Sequence, residues 1–331
     1  MARSCTPAVA RSCPAVNSSR AATWPPACRA MVCIAGPAMT AMGRHPEASF
    51  AQLATEAEAL AIVDAGLKPG VDAVVFANSL AGRLEGQHCV RGQVALQYLG
   101  LDHVPVLNVE NACASGAAAF HTACLGLRAS AYENVLVVGA ERMSAPERGG
   151  TLVALRGAMD VTAADREQLT AGQRHSVLME HYAGRTRTYL PLRGLELSDV
   201  ACVAAKNAVH GACNPLAQRQ RARSVEEVLE GPVVVDPLTR YMCAPITDGA
   251  AAVVVFPTRP GLRVRACALR SSICFGIGPR CHRRPVPVES AAPRRGDLAG
   301  SGRADSDEGR RLWAHVDARE AARRPRGVGL T

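Results

Sequence analysis

Between Met31 and Phe256 short apolar runs alternate with segments of helical period, and no hairpin turn joins one run to the next. The runs are Val32–Gly36, Asp72–Ala77, about 104 to 109, 134 to 139 and Gly249–Phe256. Each is short, rich in Val and Ala, and apolar on successive residues, which marks strands buried on both faces. Between them the spacing predicts helices after Ser49 (an N-cap residue, with Gly66 as the stop), near Gln87 to Leu99, and from Ser115 to Arg128. Strands separated by helices must cross over, so the pattern predicts an α/β layered fold with a mostly parallel sheet flanked by helices. The 331 residues, 48% of them apolar, suffice for sizeable cores.

The pattern sets the organisation. From about 141 to 240 the strand signal fades; a helix at 196 to 210 and a short one at 225 to 230 lie in a more polar stretch, expected to be an excursion that covers a site. Residues 1–30 repeat Ala-Arg-Ser-Cys and carry Arg and Ser without acid. They read as a disordered leader: a transit peptide, or sequence upstream of a true start at Met31. Residues 257–331 are Arg- and Pro-rich and lose the period, apart from a weak segment at 309 to 322. They read as disordered or out of frame.

Charge follows the same boundaries. The net +9 sits in the tail, with 16 Arg against 7 acidic residues, whereas residues 31–256 have 18 basic and 22 acidic groups. Only two of the 38 basic residues are Lys, aromatics are 4%, and no basic–aromatic interleaving occurs, so a nucleic-acid partner is not expected. The 13 Cys are an odd number, widely spaced, with no C-x-x-C pair, which argues against a disulfide framework or zinc ribbon and for a reducing compartment; a cytoplasmic setting is expected, with mitochondrion or peroxisome as alternatives. No run of 18 apolar residues is present to span a membrane. The histidines show no metal-ligand spacing, so no metal is expected.

One segment carries chemistry. Val106 to Gly116 runs from a strand through a turn into an Ala-rich helix and places Cys113 at the helix start. Unpaired N–H groups and the positive end of the helix dipole favour a thiolate nucleophile there, suited to thioester exchange. By position alone a buried structural cysteine is the plainer reading. The small residues around it equally let a central helix pack closely.

Asn111-Ala112-Cys113-Ala114-Ser115-Gly116 resembles the nucleophile motif of thiolases. Val135 to Ser144, Asn214-Pro215, Val225 to Leu229, Asp236-Pro237-Leu238 and Asp248 to Ala252 resemble successive segments of the same amino-terminal half, over about two thirds of the chain. Glu110-Asn111-Ala112-Cys113 and Thr247 to Ala251 resemble the sterol-carrier-type and lipid-transfer-like acetyl-CoA acetyltransferases. The resemblance implies an acyltransferase of lipid and fatty-acid metabolism, with Cys113 catalytic in thiolytic cleavage or Claisen condensation of 3-ketoacyl-CoA. It implies coenzyme A and acyl-CoA as substrates, no permanently bound cofactor, and a homodimer.

The family's second half, which supplies acid, base and oxyanion groups, is not recognisable here. His282 and His315 lack glycine-rich surroundings, and Cys274 to Gly278 comes too soon to be the second-cysteine loop. Gly43 to Pro46 reads as a surface turn, and His121 as a core or interface group. Arg185, Arg187, Arg219, Arg221 and Arg223 are the candidates for coenzyme A phosphates, or else a solvated face. With its covering half missing, the nucleophile helix should leave an apolar face that promotes association. A non-catalytic binding or dimerisation module, a truncated fragment, and a ketoacyl-synthase-type enzyme remain alternatives.

Overall fold

Phe76 and Val75 are neighbours on a wholly buried strand, and they enter two different cores because successive side chains of a strand point to opposite faces. The computed structural model describes residues 31–67, 70–101, 103–144, 149–158, 176–257 and 262–269. All lie in one compact unit, residues 1–277. The leader, the segment 274–278, His175, His282, His315 and the segment 309–322 lie outside the described residues.

The elements, in chain order, are β1 (Cys33–Met39), α1 (Phe50–Asp64), β2 (Ala73–Ala77), α2 (Ala81–Leu84), α3 (Arg91–Leu96), β3 (Val106–Val109), a 3-10 turn (Ala112–Ala114) and α4 (Ser115–Arg128). Then come β4 (Val135–Arg142), α5 (Gly150–Leu155), α6 (Val177–Arg193), α7 (Leu197–Ala212), α8 (Val225–Leu229), β5 (Val233–Val235), β6 (Leu238–Thr239), β7 (Asp248–Phe256) and β8 (Leu262–Arg263). The main sheet has the order β3-β2-β4-β7-β1-β8. β2 is parallel to β3 and β4, and β1 shares their direction because it is antiparallel to β7, which is antiparallel to β4. Four of the six strands therefore point one way, in the α/β layered arrangement expected from the sequence.

Both faces of the sheet are covered. Phe50, Leu53, Ala57 and Ala61 of α1, with Ala95 and Leu96 of α3, pack on Val74, Phe76, Leu136 and Val254. The Phe50 and Phe76 rings meet edge to face at 6.3 Å. On the other face Ala119, Ala123, Cys124 and Leu127 of α4 pack on Val75, Val135, Val137 and Val255. Each wholly buried Val or Leu contributes about 1.5–3 kcal/mol. Small residues on the buried side of α4 let it lie close to the sheet.

Local signals explain most boundaries. Ser49 accepts from Gln52 N while Gln52 Oε1 accepts from Ser49 N, a reciprocal cap that starts α1. Gly66, at φ +65°, takes the left-handed position just beyond it. Four readings are corrected. α3 is shorter than the segment near Gln87 to Leu99, because the chain before it is a loop in which Val90 adopts φ +47°. α6 was not anticipated: only Val177 and Ala183 are buried along it, so its sequence has no apolar face to betray it. β7 runs against β4, a direction that an all-apolar strand cannot announce. Its residue Asp248 pairs with Arg142, so the excursion leaves and re-enters the sheet at the same end.

The fourth correction concerns Gly36, expected to end the first strand. β1 continues to Met39 through a register shift between Ala35 and Ala38, with Gly36 at φ +58°. A Cβ at this position would lie 2.2 Å from the carbonyl oxygen of Ala61 in α1. Gly36→Ala is therefore expected to lower unfolding free energy by about 3 kcal/mol, combining left-handed strain with overpacking. A urea melt would read this as a lower midpoint at unchanged slope; an unshifted midpoint would contradict the close approach.

Beyond residue 256 the chain still contributes structure. β8 pairs with Cys33 and Ile34, and Val264 and Cys267 pack against the α4 core. Within the excursion, Ala201 and Ala205 of α7 and Val228 of α8 form a small separate core with Tyr241 and Met242 beside it.

Candidate active site

Because β2, β3 and β4 are parallel, their carboxyl ends share one edge of the sheet, where crevices in α/β folds form. Asn78 and Ser79 follow β2, Glu110 to Cys113 follow β3, and Glu141 lies near the end of β4. The topology thus gathers three segments that are far apart in sequence.

Glu141 organises the first of them. Its carboxylate accepts from Ser79 N at 2.9 Å, Leu80 N at 3.1 Å and Asn78 Nδ2 at 3.1 Å. Burial holds this carboxyl above the usual carboxylate range, and those hydrogen bonds with the Arg91 charge offset part of that rise. Asn78 Nδ2 also donates to Ala140 O, Asn78 Oδ1 accepts from Ala81 N, and Arg91 Nη1 donates to Asn78 O. The loop after β2 is therefore held from three directions, and Ser79 is presented towards β3.

There Ser79 Oγ donates to Glu110 Oε1 at 3.2 Å, and the same oxygen accepts from Ala112 N at 2.6 Å. Ser115, buried at the start of α4, closes the turn from the other side. Its Oγ accepts from Asn111 N at 2.8 Å and donates to Ala112 O at 2.7 Å. Between these clamps Ala112 adopts φ +44°, an uncommon conformation for a residue with a Cβ and one that costs about 1–2 kcal/mol. Such strain persists only where surrounding contacts over-determine it.

The turn's consequence is the position of Cys113. It is exposed, one turn ahead of α4, and Ala114, Gly116 and Ala117 around it are exposed too. This differs from the buried structural cysteine that position alone favoured, since a thiol with an open approach serves no packing purpose. A cleft of about 230 Å³ at the same sheet edge is lined by residues including Asn78, His88, Arg91, Asn108 and Glu110; it reaches the turn at Glu110 and does not include Cys113. Asn108 Oδ1 accepts from Gly92 N and its Nδ2 donates to Gln93, tying α3 to the rim.

Other candidates separate. His121 lies eight residues beyond Cys113, and its Nδ1 faces Cys267 Sγ at 3.4 Å rather than the turn. His45 Nε2 bonds Ala41 O, and the His45 N–H is held by Asp248. Of the five arginines expected to meet phosphate, Arg221 pairs with Glu227 at 2.7 Å and Arg187 donates to Asp236 O. Arg219 and Arg223 instead gather with Arg240, which the sequence did not single out. Burial, then the Arg240 and Arg223 charges, push the Arg219 guanidinium down. Arg223 stacks on Tyr241 with its Cζ 3.7 Å from the ring centroid, and Arg219 donates to Cys243 O. Among the described residues no group of three or more His, Cys, Asp and Glu is set to hold a metal, and no helix is long and apolar enough to cross a membrane.

The Glu110, Ser79 and Glu141 relay was not legible beforehand. Glu110 and Glu141 stood in the resembling segments, but only strand order brings them to one edge.

A strained turn that offers a cysteine ahead of the central helix, on a sheet of this topology, is the architecture of the thiolase amino-terminal domain. Residues 32–259 match the family model described as thiolase, N-terminal domain, and the chain belongs to that family. It is 31% identical over 227 residues to an acetyl-CoA acetyltransferase of Methanothermobacter thermautotrophicus, covering 68% of this chain and 57% of that protein. It is 33% identical over 227 residues to the benzoylsuccinyl-CoA thiolase subunit BbsB of Thauera aromatica, covering 68% and 54%. Human sterol carrier protein 2 is 27% identical over 266 residues, with 73% of this chain and 45% of that protein covered. Among solved structures, an Ltp2–ChsH2(DUF35) aldolase shares the fold at a TM-score of 0.53 and 24% identity, over 69% of this chain and 56% of that one. The chain spans about half the length of the curated relatives it matches.

Proposed function

We propose that this chain carries the acyl-accepting half of a thiolase-class acyltransferase, with Cys113 as the nucleophile towards an acyl-CoA or 3-ketoacyl-CoA. The observation that supports the reading is the exposed Cys113 thiol on a turn clamped by Glu110 and Ser115. In the cleavage direction the Cys113 sulfur attacks the 3-keto carbon, and the bond to the α-carbon breaks. The short acyl-CoA leaves after its α-carbon takes a proton, and the remaining acyl group stays on sulfur until coenzyme A removes it. In the condensing direction the steps reverse.

This chain's own residues hold the nucleophile, so its part is the acylation step. Full turnover also needs an acid, a base and oxyanion donors. Among the described residues no imidazole is hydrogen-bonded to Cys113, and the family resemblance assigns those groups to the second half. Coenzyme A is substrate, not resident cofactor. Arg219, Arg223 and Arg240, unpaired with any described carboxylate, suit its phosphates.

A homodimer fits the outer strand. β3 has no neighbour on its far side among the described strands, and Leu107 on it is 40% exposed beside an apolar cleft of about 300 Å³ that also borders α4. Sedimentation showing a stable, monodisperse monomer would count against it.

The test is intact mass after incubation with acetyl-CoA and with a longer acyl-CoA. A single acyl adduct supports the reading; a folded chain that takes up none favours a non-catalytic binding module. The clamp makes a second expectation. Glu110→Gln keeps the shape but swaps a charged acceptor for a neutral one at Ala112 N, so acylation should slow roughly 10- to 100-fold through misplacement of the thiol. Adduct formation at the wild-type rate would show that Glu110 is not needed to hold the turn.

A further inference from the structure

Cys124 lies on the sheet side of α4 with no exposed surface, and Cys267 comes to it from the segment after β8. The approach does not depend on the sulfurs. β8 is paired with Cys33 and Ile34, Val264 N donates to Val32 O at 2.8 Å, and Val264 packs on the same core. This backbone anchor packs Cys267 against the core that contains Cys124, and Cys267 Sγ lies 3.4 Å from Nδ1 of His121, which precedes Cys124 by about one turn of α4. The two cysteines are 143 residues apart, so no sequence spacing advertises them.

We propose that Cys124 and Cys267 are a redox-active pair that closes to an intramolecular disulfide when a small-molecule disulfide is present, with His121 as proton acceptor for Cys267. The two thiols have different parts. Cys267 is half-buried and meets the oxidant first; Cys124 is enclosed, and burial, then the neighbouring Cys267, push its thiol up to about 12, so it is inert until a mixed disulfide stands beside it.

In the first step Cys267 gives its proton to His121 Nδ1 and its sulfur attacks one sulfur of the small disulfide. That S–S bond breaks, and the departing thiolate takes the proton from His121. In the second step Cys124 loses its proton and attacks the Cys267 sulfur, expelling the second small thiol, which carries that proton away. Two protein thiols have lost two electrons and two protons, and one small disulfide has become two thiols. The product ties the chain beyond β8 to the helix that begins after Cys113, without consuming the Cys113 thiol.

The full chain, incubated with glutathione disulfide, quenched in acid, alkylated and digested without reduction, should yield a peptide linked through Cys124 and Cys267. Cys124→Ser should stop at a mixed disulfide on Cys267, and Cys267→Ser should leave Cys124 unmodified. His121→Asn should slow linkage at least 10-fold near neutral pH, and linkage in urea should lose its selectivity. A mixed disulfide on Cys267 that never resolves onto Cys124 in the folded wild type would overturn the proposal, as would indiscriminate pairing of Cys124. A Cys113→Ser background should give the same link, so failure here and failure of acyl transfer are read separately.

Discussion

Cys113→Ser is expected to fold as the parent does and to take up no acyl group from acetyl-CoA or a longer acyl-CoA. The side chain is exposed and makes no packing contribution that a hydroxyl would upset, so circular dichroism and the unfolding midpoint should be unchanged within about 0.5 kcal/mol. The clamp contacts run through Glu110, Ser79, Ser115 and the backbone, and none uses the sulfur. Chemistry separates the two atoms: a hydroxyl at neutral pH is a far weaker nucleophile than a thiol, which always holds some thiolate. Loss of a nucleophile costs roughly 10⁴-fold or more, enough to remove the adduct from a mass spectrum. If the variant still gains an acyl group at the parent's rate, the acceptor is another nucleophile of the chain, Cys89, Cys202 and Cys213 being the other exposed cysteines among the described residues, and the proposed role of Cys113 fails.

The second large effect is on stability and comes from Glu58. It lies in α1 with 0% exposure, and neither carboxylate oxygen has a hydrogen-bond partner among the described residues. Burial pushes its carboxyl up from 4.5 to about 8. Below about pH 4.5 folded and unfolded chains both hold the proton, and the group is neutral in each. Between 4.5 and 8 the unfolded chain releases it while the folded chain keeps it, so stability falls as pH rises, and above 8 the loss is constant. At 1.36 kcal/mol per pH unit the penalty is on the order of 3 kcal/mol by pH 7. Glu58→Gln has nearly the same shape and cannot ionise. It should be more stable than the parent by about that amount at pH 7, and nearly equal to it at pH 4.5. Urea midpoints across this range give the difference directly, and parallel curves for the two proteins would refute a buried, protonated Glu58.

These two residues show how unevenly the sequence reveals its consequences. The position of Cys113 was readable, because a strand, a turn and an Ala-rich helix in immediate succession leave little choice about where a thiol between them must lie. Glu58 was not: the apolar residues of α1 suggest a stripe through Leu53, Ala57, Leu60, Ala61 and Val63, yet Leu60 and Val63 are exposed while Glu58, next to Ala57, is buried. The same limit applies to α6, where too few side chains are buried to impress a period on the sequence.

Local chemistry by itself determined the layered α/β class, the start of α1 at Ser49, the span of α4 and the place of the Cys113 thiol at its head. Each depends on residues within a few positions of one another, whose periodicity, capping and turn preferences act over a single element. Only the tertiary structure decided that β7 runs against β4, that Gly36 passes beneath Ala61 instead of ending a strand, and that Glu141, Ser79 and Glu110 join in holding Ala112. It also decided that Arg240 joins Arg219 and Arg223, and that Cys267 packs on the core that contains Cys124. These are contacts between segments up to 143 residues apart, set by strand order and close packing, for which pattern along the chain carries no term.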